Sequence, residues 1–272
     1  MSAPSRRRLL PAAAAALVAL VTALVALAVP AAPAQAAAAP YVALGDSYSS
    51  GVGTRTYFDS TCKRSNAAYP RLIANARGYA LNFQACSGAT VSTVTNNQLA
   101  ALTTGTEYVT LSVGGNDAGF ADVLTECAMP GWASNCSGAV TTARNYINNT
   151  LPGRLSTLYS SIRTKAPNAV VVIVGYPRIF MGEDCNAGTW FSPSEMTSLN
   201  GTADLLNSKL AAAASARGFK FANPTTRFTG HAVCDSTEWI NGLSNPVAES
   251  YHPNTLGHSS GYTPLVSPLL VG

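Results

Sequence analysis

Charge is what this 272-residue chain has least of: 11% of its residues are Asp, Glu, Lys or Arg, about half the fraction of an ordinary soluble domain. Seventeen basic and 13 acidic groups give a formal charge of +4, but Arg6, Arg7 and Arg8 stand in the first 36 residues, which hold no acid. The remainder has 14 basic against 13 acidic groups, a formal charge of +1. No run of Lys and Arg follows Arg8, which excludes a nucleic-acid partner bound through its phosphates. Metal-ligand patterns are missing too. There is no C-x-x-C pair, and the three histidines, His231, His252 and His258, form no H-E-x-x-H, so neither a metal nor another cofactor is expected. Internal repeats and interdomain linkers are also absent. With 47% hydrophobic residues, the chain can bury a large core and disorder is not expected.

What is present begins with an address. Three arginines precede an apolar stretch from Leu9 to Val29, closed by Pro30 and followed by Ala34-Gln35-Ala36, a small-x-small cleavage pattern. That layout predicts a secretory signal peptide over residues 1–36 and a single mature domain over 37–272, secreted and extracellular. The stretch is long enough to span a bilayer, but Pro30 and the cleavage pattern argue against a stable membrane anchor. Ser5-Arg6-Arg7 resembles a twin-arginine signal, so the export route stays open.

Apolar runs rich in β-branched residues predict buried parallel strands at Tyr41–Leu44, Tyr108–Val113 and Ala169–Val174, with weaker candidates at Ala80–Phe83 and Phe219–Phe221. Helix-compatible stretches alternate with them: Ala67–Arg77, Val140–Lys165, and Pro193–Arg217 behind a capping Ser192. Alternation of this kind specifies an α/β three-layer domain. Six cysteines remain in the exported part, an even number that reads as three disulfides with 15 formal connectivities. Sequential pairing, Cys62 with Cys86, Cys127 with Cys136 and Cys185 with Cys234, is the expected arrangement. A monomer is expected.

Ligands of an open parallel sheet bind at the carboxyl ends of its strands, so the segments just after each strand are the candidates. Gly45-Asp46-Ser47-Tyr48 follows the first run and places a hydroxyl at a strand end. Ala85-Cys86-Ser87-Gly88-Ala89 is a glycine loop after the second, and Gly114-Gly115-Asn116-Asp117 offers an amide donor after the third. Glu249-Ser250-Tyr251-His252-Pro253-Asn254 puts a histidine in a loop near the C-terminus. Each fragment alone is an ordinary turn. Together they hold the parts of one reaction: a serine needs a base, the base needs an acceptor for its other nitrogen, and a developing oxyanion needs fixed donors.

The four blocks, in this order, resemble those of the SGNH (GDSL-type) hydrolases, and the chain over roughly residues 40–265 resembles the secreted actinobacterial lipases and phospholipases of that family. The resemblance implies a flavodoxin-like three-layer α/β/α sandwich with a parallel sheet of about five strands, metal-independent ester hydrolysis, and the sequential disulfides. It implies Ser47 as nucleophile, His252 as general base, and the Ser47 and Gly88 N–H groups with the Asn116 side chain as oxyanion donors. The family pattern D-x-x-H meets Glu at position 249. The group that orients His252 is therefore either Glu249 or the main-chain carbonyl of Ser250, giving a triad or a dyad. Phe58, Phe120, Trp132, Trp190 and Phe191 are candidate walls of an acyl groove. Two alternatives are a carbohydrate acetylesterase with the same machinery and a non-catalytic secreted binding protein that kept the fold.

Overall fold

Five strands make one parallel sheet in the computed structural model, which describes Met1 and residues 37–271. They are β1 (Pro40–Gly45), β2 (Ala80–Phe83), β3 (Tyr108–Ser112), β4 (Val170–Val174) and β5 (Lys220–Ala222), each within a residue or two of its expected position. The signal segment falls on positions outside the described residues. Among the described residues, no helix is long and apolar enough to cross a membrane.

Side chains alternate strictly to the two faces of the sheet. Tyr41, Ala43, Val172 and Val174 pack into one apolar cluster, and Val42, Leu44, Val109, Leu111, Val171 and Ile173 into the other. Both faces are therefore core, which is why these runs read as continuously apolar. Each fully buried Val, Leu or Ile contributes about 1.5–3 kcal/mol by removal from water.

Helices α1 (Ser47–Ser50), α2 (Tyr69–Arg77), α3 (Val91–Thr93), α4 (Phe120–Cys127), α5 (Cys136–Asn149), α6 (Leu151–Lys165), α7 (Pro193–Ser215) and α8 (Thr263–Val266) complete three layers. Ile73 of α2, Val140 of α5 and Val266 of α8 cover one face, and Leu155 and Ile162 of α6 the other. The single helix expected over 140–165 is two helices. Pro152 has no N–H to continue the ladder, so the chain breaks at Thr150 and restarts with the proline in its first turn. Ser192 caps α7 in a complete capping box with Glu195.

The strand order β2-β1-β3-β4-β5 reverses direction around β1. The connections leaving β1 and β3 diverge there, opening a crevice at the carboxyl edge. Disulfides join Cys62 to Cys86, Cys127 to Cys136 and Cys185 to Cys234, each tying down a loop of the same edge region.

Candidate active site

The turn after β1 is built for close approach. At Gly45, φ is +131°, and a Cβ there would sit 2.6 Å from the Ser112 carbonyl oxygen, so only glycine fits. Gln98 fixes this turn from beneath: the Gly45 N–H donates to its Oε1 at 2.8 Å and its Nε2 donates to the Gly45 carbonyl at 2.9 Å. Asp46 then caps α1, accepting from the Tyr48 N–H at 3.0 Å. Ser47 is the first residue of α1, where a backbone N–H has no intrahelical acceptor. Its Oγ lies 2.8 Å from His252 Nε2.

Asp46 is 1% exposed and roots a polar network under that serine. Ser112 Oγ donates to its Oδ1 at 2.7 Å, and the Tyr176 hydroxyl donates to its Oδ2. Ser49 Oγ is 2.7 Å from both Ser112 Oγ and the Tyr69 hydroxyl. Burial pushes the Asp46 carboxyl up to about 6, against the opposing pull of those hydrogen bonds. The network joins the ends of β1, β3 and β4, so the serine turn rides on the sheet.

His252 is held from both sides. Its Nδ1 lies 2.9 Å from the Ser250 carbonyl oxygen, which can only accept, so Nδ1 carries the proton and Nε2 faces Ser47 as an acceptor. Glu249 turns elsewhere. Its Oε1 accepts from the Tyr57 hydroxyl at 2.6 Å, and its Oε2 is buried without a hydrogen-bond partner among the described residues. The reversal comes at Tyr251, whose φ is +60°. That conformation is held by the Tyr48 hydroxyl, which donates to the Tyr251 carbonyl at 2.7 Å, and by main-chain bonds of Asn241 to Tyr251 and His252, both 2.9 Å. The Tyr48 ring also stands beside the imidazole, centroids 5.2 Å apart. Burial pushes His252 down to about 4, while the Ser250 carbonyl and the Glu249 charge pull the other way. The ring is neutral at pH 7.

Asn116, which lines the cleft with Ser47, is joined to the Gly88 turn through Ala89. Cys86–Ala89 is a tight turn closed by the Ala89 N–H on the Cys86 carbonyl at 3.1 Å, and Gly88 supplies its φ of +78°. The Ser87 N–H donates to the Cys62 carbonyl at 3.0 Å, tying the turn to the adjacent disulfide. Asn116 Nδ2 donates one hydrogen to the Ala89 carbonyl at 3.0 Å, which fixes the amide plane. Its second hydrogen is left for the cleft. Asp117 accepts from the Val91 N–H at 2.9 Å and braces the same two loops.

The sequence profile of the GDSL-like Lipase/Acylhydrolase family matches residues 43–259. The chain belongs to that family. It is 46% identical over 237 residues to Lipase 1 of Streptomyces coelicolor, covering 85% of this chain and 87% of that protein. Among solved structures, the extracellular lipase of Streptomyces rimosus superposes with a TM-score of 0.80 at 42% identity, covering 85% of this chain and all of that one. The phospholipase A1 of Streptomyces albidoflavus NA297 gives the same TM-score at 45% identity, covering 85% and 99%. The protein is thus a carboxylic ester hydrolase.

A cleft of about 340 Å³ opens beside Ser47 and His252. Its walls include Phe120, Leu124, Ile179, Leu206, Leu243 and Val247. Of the aromatic residues expected as walls, Phe120 lines it. Phe191 is buried against Phe180 and Tyr251, Phe58 packs toward Phe83, and Trp132 and Trp190 stand exposed outside it. Among the described residues, the one cluster of metal-type side chains is Cys185, Cys234 and Glu238, and its two sulfurs are spent in a disulfide. Sequence reasoning missed Tyr48, Ser112 and Tyr176 as supports of the site. Tyr176 stands two residues beyond the end of β4, so the same strand-end rule that singles out Asn116 would have found it.

Proposed function

We propose that this hydrolase is an exported lipase-type enzyme, active as a monomer, that transfers the acyl group of long-chain esters to Ser47 and then to water. The observation that carries the reading is the 2.8 Å approach of Ser47 Oγ to a neutral, correctly protonated His252 at the mouth of an apolar cleft. His252 Nε2 takes the serine proton as Oγ bonds to the ester carbonyl carbon. The resulting oxyanion is stabilised by the Ser47 and Gly88 N–H groups and the Asn116 amide. The imidazolium returns its proton to the leaving alcohol as the carbon–oxygen bond breaks, and a water repeats the cycle to release the acid. The Ser250 carbonyl acts as the orienting group, which makes the site a dyad.

Apolar walls suit an alkyl chain better than a sugar, and the similarity to a lipase and a phospholipase A1 supports the same substrate class. Every part of the site comes from one chain, as a monomer requires. Residues 1–36 direct export and are removed, leaving a mature N-terminus near Ala37. Ser47→Ala is expected to abolish turnover of chromogenic acyl esters from acetate to palmitate with an unchanged circular dichroism spectrum. Retained turnover overturns the assignment, and a preference for acetate over longer chains overturns the substrate class.

A further inference from the structure

Helix α4 walls the cleft along its whole length. Phe120, Ala121, Leu124 and Thr125, with Ala128 at the C-cap, all line it, and their spacing puts them on one helical face. The two acids of the helix, Asp122 and Glu126, are not among the lining residues. The Thr125 hydroxyl turns back and donates to the Ala121 carbonyl at 3.0 Å, which leaves its methyl group for the cleft. The wall is apolar from end to end.

This wall has a direction relative to the chemistry. Its first turn is tied to the Asn116 segment, because the Phe120 N–H donates to the Gly115 carbonyl and the Gly119 N–H to the Asn116 carbonyl, both at 3.1 Å. From Ala121 to Ala128 the helix axis then advances about 10 Å, roughly the reach of eight carbons of extended alkyl chain. At that far end it meets a fixed loop. The Trp190 N–H donates to the Ala128 carbonyl at 3.1 Å, and Gly188 and Thr189 line the cleft beside it. Asp184 holds this loop, accepting from the Thr189 hydroxyl at 2.8 Å and from the Phe191 N–H at 2.9 Å. Disulfides Cys127–Cys136 and Cys185–Cys234 anchor the helix end and the loop.

Proton return decides which half of an ester lies along α4. His252 gives its proton to the leaving oxygen, so the alcohol lies toward the imidazole. The acyl carbon is bonded to Ser47 with its oxygen toward Asn116, so the acyl chain departs on the side where α4 begins. We propose that α4 is the ruler that selects acyl length in this enzyme: the acyl chain runs along the helix from Ser47, and Ala128 and Thr189 mark the longest chain that is fully held. This rests on the long-chain ester-hydrolase reading and adds the residues that set the length. Each methylene covered by the wall is worth about a fourfold gain in kcat/KM, and the gain stops where the wall stops.

The test compares the mature enzyme with Ala128→Phe and Ala121→Phe on p-nitrophenyl esters from acetate to palmitate. A phenyl ring at position 128 fills the far end of the wall, and one at position 121 the near end. The acyl length that gives the highest kcat/KM is expected to shorten in both variants, and to be shorter in Ala121→Phe than in Ala128→Phe. In Ala128→Phe the palmitate-to-butyrate ratio of kcat/KM is expected to fall at least about tenfold. Thermal unfolding checks each fold, and Ala121 is exposed, so that variant carries the test if the other fails to fold. A second series keeps the acyl group as acetate and lengthens the alcohol from ethyl to dodecyl, with an expected profile of the same shape in all three enzymes. An unmoved acyl profile in folded variants of an enzyme that prefers long chains overturns the ruler and leaves the long-chain reading standing. So does truncation of the alcohol series in place of the acyl series. If the unsubstituted enzyme prefers acetate, the long-chain reading falls and the ruler with it.

Discussion

Replacing Glu249 with Gln sets the family's charged-acid pattern against the geometry of this site. In a serine triad whose orienting carboxylate is changed to its amide, kcat falls by about 10⁴ because the histidine is held in the wrong tautomer. Here the Nδ1 proton goes to the Ser250 carbonyl at 2.9 Å, and the Glu249 carboxylate bonds instead to Tyr57. Glutamine keeps an acceptor oxygen for the Tyr57 hydroxyl and leaves the Ser250 carbonyl untouched, so tautomer and ring orientation survive. What is lost is a charge that raises the imidazole's proton affinity. The expected result is a fall in kcat/KM at pH 7 of less than tenfold, under about 1.4 kcal/mol of transition-state stabilisation. The acid limb of the pH–rate profile is expected to move to lower pH, since the neutral ring then loses its nearest anion. The measurement is kcat/KM for a soluble chromogenic ester across pH, with thermal unfolding as the control for folding. The control matters because the new amide N–H takes the place of the unpartnered Oε2, and an unmatched buried donor costs about 1–3 kcal/mol of stability. A loss of 10³-fold or more in a fully folded variant would refute the dyad and restore Glu249 to the reaction.

Three further outcomes follow from the same geometry. Because burial holds His252 down to about 4, activity is present above that value and lost as pH falls through it, so kcat/KM should remain near its plateau at pH 5; an acid limb near 6.5 refutes this. Stability has its own dependence. Both His252 and the buried His258, pushed down to about 3, favour the neutral form in the folded state, so their contribution is full above about 6.5 and is lost as pH falls. Asp46, raised to about 6, works in the opposite sense and offsets part of the loss between 6 and 4. Urea unfolding should show a net decrease of about 2 kcal/mol from pH 7 to pH 5, and an increase would contradict the buried neutral histidines. Asn116→Ala should lower kcat by about 10²–10³ with little change in KM, the usual result of removing an oxyanion donor; a pure KM effect would make Asn116 a substrate contact instead.

How much of this site can be read from the chain depends on how local each role is. Ser47, Gly88 and Asn116 are separated by up to 69 positions, yet all three follow strands. A parallel sheet brings its carboxyl ends to one edge, so location alone nominates them. The three central strands are legible because both faces of the sheet are buried there, whereas the edge strands β2 and β5 are partly exposed, carry Asn82 and Lys220, and give weaker signals. The orienting group is different. Glu249 and Ser250 are neighbours, and which of them reaches the imidazole is decided by one backbone torsion, the positive φ of Tyr251. Nothing about a tyrosine in the sequence asks for that conformation. It is imposed by Tyr48, 203 positions away, and by the main chain of Asn241. The same holds for Asp46, which is a turn residue by composition and a buried carboxyl by virtue of Ser112 and Tyr176. Motif reading therefore nominates Ser47, Gly88 and Asn116 by their strand ends and His252 by its C-terminal block. It leaves open the groups that hold them, whose roles depend on which side chains meet. Tyr48 belongs to both sets: it adjoins Ser47 in sequence and fixes the His252 loop in space, so one residue joins the two halves of the proposed reacting pair.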